Sequence, residues 1–335
     1  MKPMISVAAM TGVLETITAA GGNPDEILSA LGADRSVFAN PEGFVASSIF
    51  DQLLEKASRK TGDDCFGLHF GEHFNPKNIG PLAYVVINSP TVLSGIQNAA
   101  RYLKVHNQAA VTSFDIEGER VFFRFRVAES SVESTRQHNE YSMAVMLNTI
   151  RLMVGSKWTP QEVHFEHQTP APTAEHTRIF GAPVLFGCAG NALVVERELI
   201  ERQVPAADPR LYRIMQRYLQ HVLADIPQED KVVASVRKAI AETMREGDPS
   251  LTRVGKQLAL SPRTLQRRLE ERGMRFNKLM DDTRRRFAID YLKGHDHTLT
   301  QIAFLLGYSE VSAFNRAFKR WTGSTPSNYR RKSAK

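Results

Sequence analysis

Between residues 250 and 331 the sequence writes one helical design twice, and few folds accommodate such a repeat. After Asp248-Pro249-Ser250-Leu251 a helix starts, with Val254, Leu258 and Leu260 as its apolar positions. Ser261-Pro262 opens a second helix, because serine can cap free backbone N–H groups and proline fits the first helical position. Over residues 263–272, Leu265 and Leu269 fall inward at i, i+4, while Arg263, Gln266, Arg267 and Glu270 share the opposite face. Further along, Thr298-Leu299-Thr300-Gln301 reads as a capping box. Ile302, Ala303 and Leu306 follow as a buried stripe, and Gly307 takes the turn, where a missing Cβ relieves strain. Ser309 is expected to cap the next helix. That helix turns Phe314, Phe318 and Trp321 inward and Ser312, Asn315, Arg316, Lys319 and Arg320 outward. A connecting helix over residues 276–292 carries Phe276, Leu279, Met280, Phe287 and Tyr291, which can pack against both units. Two short helices joined by a tight turn, the second basic on its outer face, form the geometry that major-groove insertion demands.

The charge follows the same division. Residues 229–335 hold 23 Lys and Arg against 12 Asp and Glu, whereas the rest of the chain holds 20 against 24. A polyanion partner is therefore expected for the C-terminal part alone. Upstream the pattern is mixed. Helices are predicted over residues 5–20, 24–31, 48–61, 92–102 and 138–154. The clearest hairpin pairs residues 109–116 with 120–127 across Glu117-Gly118-Glu119. Short strands are expected at 162–166, 184–186 and 192–195, and a helix at 209–224. The expected fold is thus an α+β N-terminal domain, residues 1–205, then a helix and linker, 206–230. An all-α domain, 231–335, follows with two helix-turn-helix units joined by a connecting helix. The uncharged run 78–100 contains Pro81, Asn88, Pro90 and Gln97 and makes a poor membrane span. No signal peptide is read at the start, and two cysteines make no disulfide framework, so a cytoplasmic protein is expected.

The residues here reach a resemblance. The stretch 250–331 resembles the DNA-binding domain of the AraC/XylS family of transcription regulators. Ser261-Pro262-Arg263-Thr264-Leu265-Gln266-Arg267-Arg268-Leu269 matches that family's first recognition helix. Its signature is met by Ile302-Ala303, Leu306-Gly307-Tyr308-Ser309, Phe314-Asn315-Arg316-Ala317-Phe318-Lys319-Arg320-Trp321, Thr322-Gly323, Thr325-Pro326 and Tyr329-Arg330. Two departures fall in the first unit: Gly255 where the family usually has alanine, and Ala259 at a turn where glycine is common. Gly80-Pro81-Leu82-Ala83-Tyr84, Phe180-Gly181-Ala182-Pro183-Val184 and Pro205-Ala206-Ala207-Asp208-Pro209 resemble the arabinose-binding type of N-terminal domain. The resemblance implies base reading by Arg263, Gln266 and Arg267 in the first unit, with Thr264 also at the DNA, and by Ser312, Asn315 and Arg316 in the second. Lys319, Arg320 and Arg330 would hold phosphates. It further implies double-stranded promoter DNA and RNA polymerase as partners, a homodimer formed through the N-terminal domain, and a small-molecule effector, with no cofactor.

Other residues invite chemistry. His69 and His73 stand four apart, but Gly71 and Asn75-Pro76 argue against a helix there, and no third metal ligand is evident. His164 and His167 point to opposite sides of a strand, and His295 and His297 lie in a polar turn. Cys188 reads as a small buried thiol rather than a redox sensor. Met143, Met146 and Met153 read as a core stripe before an effector pocket. Arg284-Arg285-Arg286 suits either phosphates or solvent. No Gly-rich phosphate loop, nucleophile elbow or carboxylate pair appears, which disfavours an enzyme. The remaining alternative is an architectural protein that grips DNA without reading it.

Overall fold

The computed structural model describes residues 3–128, 132, 134–226, 231–245, 247, 249–294 and 297–333. The chain divides into two compact units, residues 1–226 and 227–335. Among the described residues, no helix is long and apolar enough to cross a membrane.

The first unit is built on two sheets. β1 (Met4–Ser6) pairs antiparallel with β2 (Phe44–Ala46). This replaces the start of the helix expected over residues 5–20. A short 3-10 helix, Val7–Met10, follows this strand, and Gly12 at φ 87 delays the α-helix to Val13–Ala19. The main sheet contains β3 (Ala110–Glu117), β4 (Arg120–Val127), β5 (Glu162–His164), β6 (Val184–Leu185) and β7 (Asn191–Glu196), in the order β3-β4-β7-β5-β6. Only β5 and β6 run parallel. The hairpin turn is shorter than expected: Glu117 still pairs with Arg120, which leaves Gly118 and Glu119 to reverse the chain. Gly118 at φ 62 supplies the left-handed residue that such a turn requires. Val121, Phe123 and Phe125 face the core, and Phe122 on the other side packs with Ala192 and Val194.

The central helix, Arg136–Val154, is buried along most of its length. Helix Phe66–His73 lies against it, and this contact explains why the expectation of a non-helical segment at Gly71 fails. A Cβ on Gly67 would sit 2.0 Å from the Gln137 carbonyl oxygen, and one on Gly71 would sit 2.6 Å from that of Tyr141. The glycines let two helix backbones approach closely. Helix Val92–His106 starts at Thr91 with a reciprocal capping box to Ser94. Helix Pro209–Asp225, capped by Asp208, packs on helices Pro81–Ile87 and Val92–His106. By its contacts this helix belongs with the first unit, which runs to Ile226.

Among its described residues the second unit consists of helices and the turns that join them, with no strand. Helices Lys231–Arg245, Leu251–Gln257, Pro262–Glu270, Phe276–Gly294, Leu299–Leu305, Val311–Thr322 and Pro326–Ser333 close on one apolar core. Val236, Ile240, Leu279 and Leu292 are fully buried within it.

Candidate nucleic-acid interface

Each recognition helix is held by a short helix and a tight turn. In the first unit, helix Leu251–Gln257 begins at Ser250, whose hydroxyl accepts from the Arg253 N–H at 3.3 Å. Ala259 then adopts φ 54, and the Leu260 N–H donates to the Gly255 carbonyl at 2.8 Å. Ser261 caps the recognition helix Pro262–Glu270 by accepting from the Thr264 N–H at 3.2 Å. The second unit repeats this path. Thr298 and Gln301 form the expected capping box of helix Leu299–Leu305, Gly307 stands at φ 72, and the Tyr308 N–H donates to the Ala303 carbonyl at 2.9 Å.

The two departures noted in the sequence are therefore one exchange. The residue whose carbonyl closes the turn is Gly255 in the first unit and Ala303 in the second. The left-handed residue is Ala259 in the first and Gly307 in the second. A Cβ on Gly255 would lie 2.7 Å from the Leu260 carbonyl oxygen, so the first turn is too tight there for alanine. One expectation is corrected: Ser309 does not cap the second recognition helix. Helix Val311–Thr322 follows Glu310, with no side-chain cap, because one more residue separates Gly307 from this helix than separates Ala259 from its counterpart.

Packing fixes which faces remain outside. Leu265 and Leu269 anchor the first recognition helix, and Phe314 and Phe318 anchor the second; all four are fully buried. Arg263, Gln266 and Arg267 are exposed, with Arg267 Nε 3.8 Å from Glu271. Thr264 is half-buried, its hydroxyl 2.8 Å from that of Ser261. In the second unit Ser312, Arg316, Lys319 and Arg320 are exposed. The Ser312 hydroxyl donates to Glu310 at 3.0 Å, and Arg320 Nη2 lies 2.9 Å from Asp281 on the connecting helix. Asn315 is half-buried, and its Oδ1 has no hydrogen-bond partner among the described residues. Arg330 has a structural contact besides the phosphate role that the resemblance implies. It is half-buried, and its Nη2 donates to the His297 carbonyl at 2.7 Å, which ties helix Pro326–Ser333 to the segment before helix Leu299–Leu305.

A further fixing residue lies in the Arg284-Arg285-Arg286 run, which sequence reading left between phosphates and solvent. Arg284 Nε donates to the Leu306 carbonyl at 2.9 Å, and its Nη2 donates to that of Gly307 at 3.3 Å. Its guanidinium lies 4.5 Å from the centre of the Tyr308 ring. Burial pushes the Tyr308 hydroxyl pKa up, partly offset by the Arg284 charge. Arg284 therefore bolts the connecting helix to the second turn by satisfying the carbonyls left free at a helix end. A sequence signal existed: position 284 falls at i+4 from Met280 and i−4 from Ala288, on the buried stripe of that helix.

The other tempting residues are occupied. His69 Nδ1 lies 2.7 Å from Asp63 and its Nε2 lies 3.1 Å from Glu175, while His73 Nδ1 lies 2.9 Å from the His69 carbonyl. His164 Nε2 faces Glu162 at 3.0 Å. His295 lies outside the described residues. Burial, aided by the Glu140 charge, pushes the Cys65 thiol up to about 12, and burial also raises that of Cys188; neither is poised as a thiolate. Met143 is core, whereas Met146 and Met153 also line a cavity of about 150 Å³ in the first unit.

Comparison with known proteins extends this reading. A family model described as the arabinose-binding domain of AraC transcription regulator, N-term, matches residues 21–204, and one described as a helix-turn-helix domain matches residues 254–332. The chain is similar to the HTH-type transcriptional regulator VirS of Mycobacterium tuberculosis, with 30% identity over 98% of this chain and 96% of that protein. It is also similar to the ornithine utilization regulator of Pseudomonas aeruginosa, with 27% identity over 98% and 96% of the respective chains. Among solved structures, that of the transcriptional regulator CdpR from Pseudomonas aeruginosa aligns with 95% of this chain and 97% of its own, at 19% identity and a TM-score of 0.46.

Proposed function

Because the chain belongs to the AraC family of DNA-binding transcription regulators, we propose that it reads a bipartite promoter site as a homodimer under small-molecule control. The observation that carries the bipartite reading is the pair of recognition helices, each anchored by buried apolar residues and each leaving a basic outer face. Arg263, Gln266 and Arg267 read one half of the site, and Arg316 reads the other, with Ser312 and Asn315 beside it. An arginine can donate twice to guanine, and glutamine or asparagine can pair likewise with adenine, each discriminating by about 1–3 kcal/mol. Lys319 and Arg320 neutralise phosphates, Arg320 after exchanging Asp281 for the backbone. The half-sites lie about 34 Å apart, one turn of the duplex.

Two features of the first unit support the finer reading. Helix Pro209–Asp225 exposes Ile214 and Tyr218, four residues apart on one face, as a surface for a second copy. The cavity of about 150 Å³ is lined by Leu82, Val86, Phe123, Ile150 and the two methionines, so its effector presents an apolar group about the size of benzene. Such an effector acts only by differing in affinity between two states of the regulator. The protein works in the cytoplasm beside RNA polymerase and has no catalytic role.

Selection of binding sites from a random duplex pool tests the central claim. The expected result is a two-part motif, with Arg316→Ala relaxing one half and Arg263→Ala the other. Enrichment of no motif, with both variants weakening all DNA alike, would favour an architectural protein. Sedimentation tests the dimer separately: a monomer at micromolar concentration, unchanged by Tyr218→Glu, removes that part.

A further inference from the structure

The central helix of the first unit carries a carboxylate that two histidines from distant segments approach. Glu140 is fully buried, and His176, on helix Ala174–Phe180, is equally buried; His167 follows β5. His176 Nε2 lies 3.0 Å from Glu140 Oε1, and His167 Nε2 lies 3.1 Å from the same oxygen. A ligand atom from each of the three residues lies within 4.8 Å of the others. Phe165 and Phe186 pack against both imidazoles, of which His176 is fully buried and His167 partly so.

The protein's own hydrogen bonds do not use up this cluster. Glu140 Oε2 is buried without a partner among the described residues. His167 Nε2 sits close to the carboxylate but is not aligned to donate to it, and it likewise lacks a hydrogen-bond partner there. An unpaired carboxylate oxygen and a misaligned imidazole nitrogen are costly in a buried site unless something else binds them.

We propose that Glu140, His167 and His176 form a site for a divalent transition metal, with zinc the ion best suited to it. Two imidazole nitrogens and one carboxylate are a common zinc donor set, and with ligand atoms of the three residues within 4.8 Å of one another, small adjustments bring them to bonds of about 2.0–2.2 Å. Arg136 Nε donates to Glu140 Oε1 at 2.8 Å and so orients the carboxylate, leaving Oε2 free to take the ion. The charge of Arg136 opposes a cation, but its guanidinium is also held by Asp64 at 3.0 Å, which offsets part of that repulsion. The bound metal would pin helix Ala174–Phe180 and the segment after β5 to the central helix, making the first unit responsive to metal supply.

The test is zinc titration of the untagged full-length chain after chelator treatment, read by calorimetry and by the visible absorption of cobalt in place of zinc. One zinc per chain and a tetrahedral cobalt spectrum are expected. Since disturbing an outer partner of a metal ligand costs about 10–100-fold in affinity, His167→Gln and Glu140→Gln should each weaken zinc by at least that much. Circular dichroism confirms that each variant is folded, and His73→Ala, a histidine outside the cluster, should bind zinc as the parent does. No zinc binding by the parent overturns the proposal. So does zinc binding that both folded cluster variants retain, since the ion would then sit elsewhere. Neither result bears on DNA recognition.

Discussion

In the first helix-turn-helix unit the turn rests on Ala259 in a left-handed conformation, and Ser261 caps the recognition helix. In the second the turn rests on Gly307, and the recognition helix starts at Val311 without a side-chain cap. The first unit thus carries backbone strain at its turn and relies on a local hydrogen bond to start its helix. The second has an unstrained turn and, beyond the core anchors that both recognition helices have, is held by Arg284 reaching across from the connecting helix. One backbone path can therefore be specified either by local chemistry or by tertiary contacts, and the two routes should fail differently under mutation.

The largest difference should come from the anchors. Phe314→Ala is expected to destabilise the C-terminal unit by about 3–5 kcal/mol, at or above the roughly 2–5 kcal/mol expected of Leu265→Ala. Urea denaturation followed by Trp321 fluorescence in a Trp158→Phe background would measure both; a clearly larger loss for Leu265→Ala would break the comparison. Next, Arg284→Met removes two charge-assisted hydrogen bonds from the second turn and should cost about 1.5–3 kcal/mol. Its loss of affinity should fall on the half-site read by Arg316; equal weakening of both halves would show that the clamp is not local to the second unit.

The turns should respond with opposite signs. Gly307→Ala forces a side chain into a left-handed conformation, with its Cβ 3.0 Å from Pro249, and should cost about 1–2 kcal/mol. Ala259→Gly relieves the same strain against a smaller entropic cost and should raise stability by roughly 0.5–1 kcal/mol. Thermal melts that move in the same direction for both would refute the exchange. The smallest effect sharpens the capping difference: Ser261→Ala should cost about 1 kcal/mol, whereas Ser309→Ala should stay within about 0.5 kcal/mol. Comparable losses would mean that Ser309 caps its helix in solution.

Much of this was legible from the order of residues, because the signals involved are local. The capping box at Thr298, the Ser261-Pro262 start, the i, i+4 spacing of Leu265 and Leu269 and the glycine at 307 depend on neighbours within a turn or two of chain. They placed both units and most of their exposed basic residues. The hairpin 110–127 was legible for the same reason, since alternation and a Gly118 turn are read over a few residues. What the sequence could not determine was every feature that depends on residues far apart in the chain. Gly71 reads as a helix breaker until the central helix is seen to lie against it. Arg330 gives no sign in the sequence of its hydrogen bond to the His297 carbonyl, 33 residues away. His167 and His176 are ordinary histidines in sequence, and only the packing of three separate segments brings them to Glu140. Local spacing governs caps, turns and helix faces, whereas burial and convergence are set by which surfaces meet, and that the tertiary structure alone decided.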